Sequence, residues 1–86
     1  MIERKDVMPV NFIKKENFTG SYKGMRYRME KGEQEEKTVL TVTAWQEPYG
    51  YMATPDEQKI KENFEFSEEG IVEGVAWLNE QHPKFG

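Results

Sequence analysis

Residues 64–78 constrain the fold of this chain more tightly than any other stretch. Phe64-Glu65-Phe66 alternates apolar and charged side chains at the period of a strand, and Ser67 then opens an amphipathic helix. A serine at that position accepts from the free backbone amides of the first turn. Glu68 and Glu69 follow where the helix dipole favours anions, and Phe66 is placed to pack on Ile71 as a hydrophobic staple. Ile71, Val75 and Leu78 recur at helical spacing, with Gly74 on the same stripe allowing close access to a sheet. Pro83 disfavours helical geometry at His82 and ends the helix near Gln81.

The strands that this helix must cover lie upstream. Met25, Tyr27 and Met29 alternate with Arg26, Arg28 and Glu30, which predicts a half-buried strand. Thr38 to Trp45 is rich in β-branched residues, with Leu40, Val42 and Ala44 on one face and Val39, Thr41, Thr43 and Trp45 on the other. The acidic stretch Lys31 to Lys37 reads as a hairpin connection longer than the two-residue type. Tyr49, Tyr51 and Met52 suggest a short third strand, and Ile60, Phe64 and Phe66 share one face of a fourth. Thr19-Gly20-Ser21 and Gly24 read as breakers. The expected fold is α+β: an antiparallel β-meander of three to four strands followed by one C-terminal helix packed on the sheet.

With 86 residues the chain has material for one core. Residues 1–18 read as a flexible leader with a short helical turn, 19–82 as the single domain and 83–86 as a tail. The core is thin but rich in rings, since 36% of residues are hydrophobic and 13% aromatic. No cysteine is present to hold a disulfide or a thiolate metal site. No apolar run approaches the roughly 18 residues of a membrane span, so a cytoplasmic protein without membrane contact is expected.

Charge is divided along the chain. Residues 11–31 carry six cations against two anions, whereas residues 46–86 carry nine anions against three cations. One part suits anions and the other cations or basic partners, unless both are only solvated faces.

Nothing has the residue types and spacing of a catalytic centre. His82 is the only histidine and has no nucleophile motif beside it; Glu35-Glu36 and Glu68-Glu69 are explained by a loop and a helix start; the glycines follow no phosphate-loop spacing. No enzyme activity, cofactor or metal is expected. The candidate contacts are instead cations and rings: Lys23, Arg26, Arg28, Trp45, Tyr49, Tyr51 and Trp77. Rings that stack bases and cations that follow phosphates make a single-stranded nucleic acid platform. The same residues also fit a plainer role, with Tyr27 in the core, Trp45 at a sheet edge and the arginines paired with glutamates. Trp77 lies about 100° of helix rotation from Leu78, so it either widens the buried face or meets a partner.

Val42-Thr43-Ala44-Trp45 before a proline-containing loop, and Phe66-Ser67-Glu68-Glu69 at the strand-to-helix turn, resemble the PC4-type single-stranded DNA-binding domain over about residues 24–80. The resemblance implies a dimer that binds single strands across its sheet, with Arg26, Arg28 and Trp45 as contacts. The acidic hairpin and the long Tyr49 to Gln58 segment depart from that family's pattern. Gly24 to Arg28 and Trp77 to Glu80 also look similar to small bacterial proteins carried on mobile elements, which implies no activity. The expected function is a small non-catalytic binding or accessory protein acting through protein–protein interaction or homodimerisation, with single-stranded nucleic acid as the alternative ligand.

Overall fold

The computed structural model describes residues 2–46 and 50–84, without the side chain of Asp56. Four strands, β1 (Phe18–Tyr22), β2 (Met25–Gln34), β3 (Lys37–Gln46) and β4 (Ile60–Glu65), form one antiparallel sheet in the order β1-β2-β3-β4. A short helix α1 (Val10–Lys15) precedes them and α2 (Glu68–Gln81) follows, lying on the sheet. The meander and its C-terminal helix are those expected.

The core face of the sheet carries Met25, Tyr27 and Met29 from β2 and Leu40, Val42 and Ala44 from β3, and α2 covers it with Ile71, Val75 and Leu78. The predicted cap is present: Ser67 Oγ accepts from the Gly70 amide at 3.2 Å. Gly74 permits the close approach, since a Cβ there would stand 3.1 Å from Val42. Trp77 widens the buried face, meeting Phe64 edge-on at 6.2 Å.

Three local readings change. Thr19-Gly20-Ser21 does not break the chain but forms the middle of β1, because Gly20 is the space across which the ring of Tyr27 lies. A Cβ at Gly20 would be 2.7 Å from that ring. The suggested strand at Tyr51 and Met52 is a turn, with Met52 90% exposed, and Tyr49 lies outside the described residues. The β2–β3 connection is a tight two-residue turn, since Gln34 pairs directly with Lys37. Glu35 and Glu36 adopt positive φ of 50° and 67°, the geometry that joins two twisted strands most compactly.

The N-terminal segment also takes part in the core. Ile2, Val7 and Ile13 are buried with the sheet and α2. Asn79 holds both polar groups of Ile2, accepting from its amide at 2.8 Å and donating to its carbonyl at 2.9 Å. Glu68 forms an ion pair with Arg4 and accepts from the Val10 amide at 3.3 Å.

Adjacent glutamates are poor occupants of two left-handed positions. Replacing Glu35→Asn together with Glu36→Gly is expected to raise stability by about 1 kcal/mol, seen as a higher thermal midpoint with unchanged circular dichroism.

Candidate functional site

The strand register sorts the predicted contacts. Arg26 lies opposite Trp45, and Arg28 opposite Thr43, whose other neighbour is Lys61 on β4. Directly opposed residues share a face, so all five lie on the side of the sheet away from α2. Tyr51 is brought over them by the loop after β3, which is pinned by Thr54 Oγ1 donating to the Gly50 carbonyl at 2.8 Å. The Tyr51 ring then meets Trp45 edge-on at 5.5 Å, the Arg28 guanidinium at 4.2 Å and the Lys59 ammonium at 3.9 Å. Cations gather here on the electron-rich face of a ring as well as on carboxylates.

This arrangement unites Arg26, Arg28, Trp45 and Tyr51, but it buries Trp45 completely, at 0% exposure. Its ring has no surface on which a base could stack. Arg28 Nε lies 3.2 Å from Glu30 Oε2, an ion pair by distance whose alignment makes no hydrogen bond. Arg26 Nε and Thr43 Oγ1 are buried without a hydrogen-bond partner among the described residues.

The other predicted contacts lie apart. Lys23 stands in the β1–β2 turn at positive φ, with its ammonium 5.5 Å from the Tyr22 ring. Its carbonyl is 3.0 Å from His82 Nε2, so the lone histidine ties the end of α2 to that hairpin. Trp77 is on α2, in the opposite layer.

A second surface was not singled out in the sequence. Along the outer flank of α2, Val72, Val75, Ala76, Asn79 and Glu80 line a groove of 470 Å³ with Arg4 as the facing wall. Val72 is 53% exposed and Ala76 is exposed. The available signal was that Val72 and Ala76 are apolar at i, i+4 beside, and not on, the buried stripe. The helix carries Glu68, Glu69, Glu73 and Glu80 and no cation, so the apolar strip runs between the Arg4–Glu68 pair on one side and a row of glutamates on the other.

Arg4 is held in place by Glu68 and by the Val7 carbonyl, to which its Nη1 donates at 2.8 Å. The Arg4 hydrogen bond, with that from the Val10 amide, keeps the Glu68 carboxyl below its ordinary value of 4.5. Burial, with the charge of Asp6, raises the Tyr27 phenol. Among the described residues no group of three His, Asp or Glu side chains could hold a metal ion, and no helix is long and apolar enough to cross a membrane.

No family model, no curated protein and no solved structure matches the chain.

Thr43→Val exchanges an unpaired buried hydroxyl for a methyl and is expected to stabilise the fold by about 1 kcal/mol in chemical denaturation. Because Glu68 binds Arg4 only as a carboxylate, the tie is complete above the ordinary glutamate value and is released as pH falls below it. Glu68→Gln should therefore melt below the unaltered protein at neutral pH, and the difference between the two thermal midpoints should close in acid.

Proposed function

We propose that this chain is a non-catalytic binding protein that works by protein–protein contact along the outer flank of α2, where it takes a basic polypeptide segment with an aliphatic centre. The supporting observation is the groove itself: Val72 and Ala76 lie exposed on a helix whose only charges are glutamates. An aliphatic side chain seated between Val72 and Ala76 loses water from both surfaces, at about 25 cal/mol per Å². Lysines or arginines on the side away from Arg4 meet Glu80, which lines the groove, and Glu69 and Glu73 on the same flank of the helix. Rim charges of this kind steer encounter and select the partner more than they add affinity.

The second reading, single-stranded nucleic acid on the other face of the sheet, is favoured by the placement of Arg26, Arg28 and Lys61 together and fits the PC4-type resemblance. Full burial of Trp45 removes the main stacking ring and weighs against it.

Selection of displayed peptides on the immobilised protein, with counter-selection on Val72→Asp, tests the first reading. Lysine- and arginine-rich peptides with a Leu, Ile or Val centre are expected. Acidic peptides, or peptides indifferent to Val72→Asp, would refute it. Salt-sensitive binding of a labelled single strand that is lost on combining Arg26→Glu with Arg28→Glu would move the function to the sheet face.

A further inference from the structure

The two edges of the sheet differ in kind. β4 ends it with Lys61, Glu62 and Glu65 in the strand, charges that discourage further strand pairing. β1 ends it with Phe18-Thr19-Gly20-Ser21-Tyr22, which contains no charge, no proline and no bulge in its register with β2.

The turn geometry says which backbone groups of β1 point outward. Lys23 and Gly24, both at positive φ, close a two-residue hairpin in which Tyr22 and Met25 are the flanking pair. In such a hairpin the flanking pair exchanges hydrogen bonds, and along an antiparallel ladder every second pair does so. Tyr22, Gly20 and Phe18 therefore turn their amides and carbonyls toward β2, and Thr19 and Ser21 turn theirs outward. Both of these residues are exposed, and no turn, loop or cap hydrogen bond reaches either among the described residues.

The strand is also complementary to itself. Laid antiparallel on a second copy about Gly20, it places Thr19 opposite Ser21 and Phe18 opposite Tyr22. The outward groups of Thr19 and Ser21 then meet their counterparts in four backbone hydrogen bonds. Phe18 and Tyr22, each half-buried in one copy, form two cross-strand ring pairs on the core side, and the hydroxyls of Thr19 and Ser21 face one another on the other side. Gly20 meets Gly20 at the centre, where the Tyr27 ring of each copy already fills the missing side-chain volume. Just beyond the strand, Lys23 falls opposite Asn17 and beside Glu16. Shifting the register two residues one way would bring the left-handed Lys23 into the ladder, and two the other way would put Tyr22 against Glu16. A shift of one residue would oppose outward groups to inward ones.

We infer that β1 pairs with β1 of a second copy about a twofold axis at Gly20, joining two sheets into one continuous eight-stranded sheet. This deepens the binding reading by naming a second copy as the partner at this edge. It rests on that reading only in taking association as the work of the chain, since the α2 groove is a separate surface.

The test uses the full chain. Light scattering and sedimentation over a range of concentrations should give a dimer mass. Thr19→Lys with Ser21→Lys, which sets like charges opposite one another twice across the axis, should weaken self-association by at least about tenfold while the circular dichroism is unchanged. Register is read separately, because the chain has no cysteine of its own. On mild oxidation a mixture of Thr19→Cys and Ser21→Cys chains should cross-link to each other, and each variant alone should cross-link poorly. A monomer at every concentration would overturn the β1 pairing and leave the peptide selection on α2 to stand or fall alone. A dimer that survives the double lysine variant, or that cross-links equally well within one variant, would overturn it too and place self-association on another face.

Discussion

Everything on the core side of the sheet depends on how closely the chain turns from β4 into α2. The Ser67 amide donates to the Glu65 carbonyl at 2.9 Å, and Ser67 Oγ bridges the Glu65 carboxylate and the Gly70 amide. Gly70 then sits directly against the Glu65 carbonyl, where no side chain could be accommodated. That contact sets the height of the helix above the sheet, and Gly74 one turn later keeps it low over Val42 and Met29. With the helix at that height Ile71, Val75 and Leu78 reach the sheet. Its outer flank then offers Glu68 and Asn79 to the N-terminal segment.

The reverse face of the sheet is organised by a different balance. Among the described residues only β3 is buried on both sides, with Leu40, Val42 and Ala44 beneath α2, and Thr43 and Trp45 on the reverse face, where Tyr51 packs on Trp45. Covering Trp45 gains apolar burial, but it also draws the neighbouring Arg26, Arg28 and Thr43 out of water. Part of that loss is offset by the ring of Tyr51 and by Glu30. The part that is not offset remains, among the described residues, as the Nε of Arg26 and the hydroxyl of Thr43 without a hydrogen bond, while the Nε of Arg28 has only its ion pair with Glu30.

Where the sequence was legible, one short-range signal dominated. β2 and β3 follow from alternation, and α2 from its cap and its i, i+4, i+7 stripe. The errors lie where a distant residue decides. Gly20 reads as a breaker until Tyr27 is seen to occupy its empty side, and Glu35-Glu36 has none of the asparagine or glycine that marks a tight turn, although strand pairing forces one. Ile2, Val7 and Ile13 have no helical or strand period, so their burial depended on α2 supplying Glu68 and Asn79 as anchors. Of the candidate contacts, alternation put Arg26 with Arg28 on one strand and Trp45 with Thr43 on the next, and only the register between the strands brings the two pairs onto one face. The loop that hides Trp45 has no periodic signature, and the apolar strip at Val72 was overshadowed by the buried stripe next to it.

The paired hydrogen bonds between Ile2 and Asn79 join residues 77 positions apart. A chain emerging from the ribosome makes its hairpins as it goes, but this clasp has no second half until nearly the whole domain has been synthesised. The polar groups of Ile2 therefore have no partner until α2 has been made, and the last turn of α2 completes this end of the core. Synthesis of the first strands and completion of the core around Ile2 are thus separated in time, and this part of the chain is most open to chaperones, proteases and unwanted association in that interval.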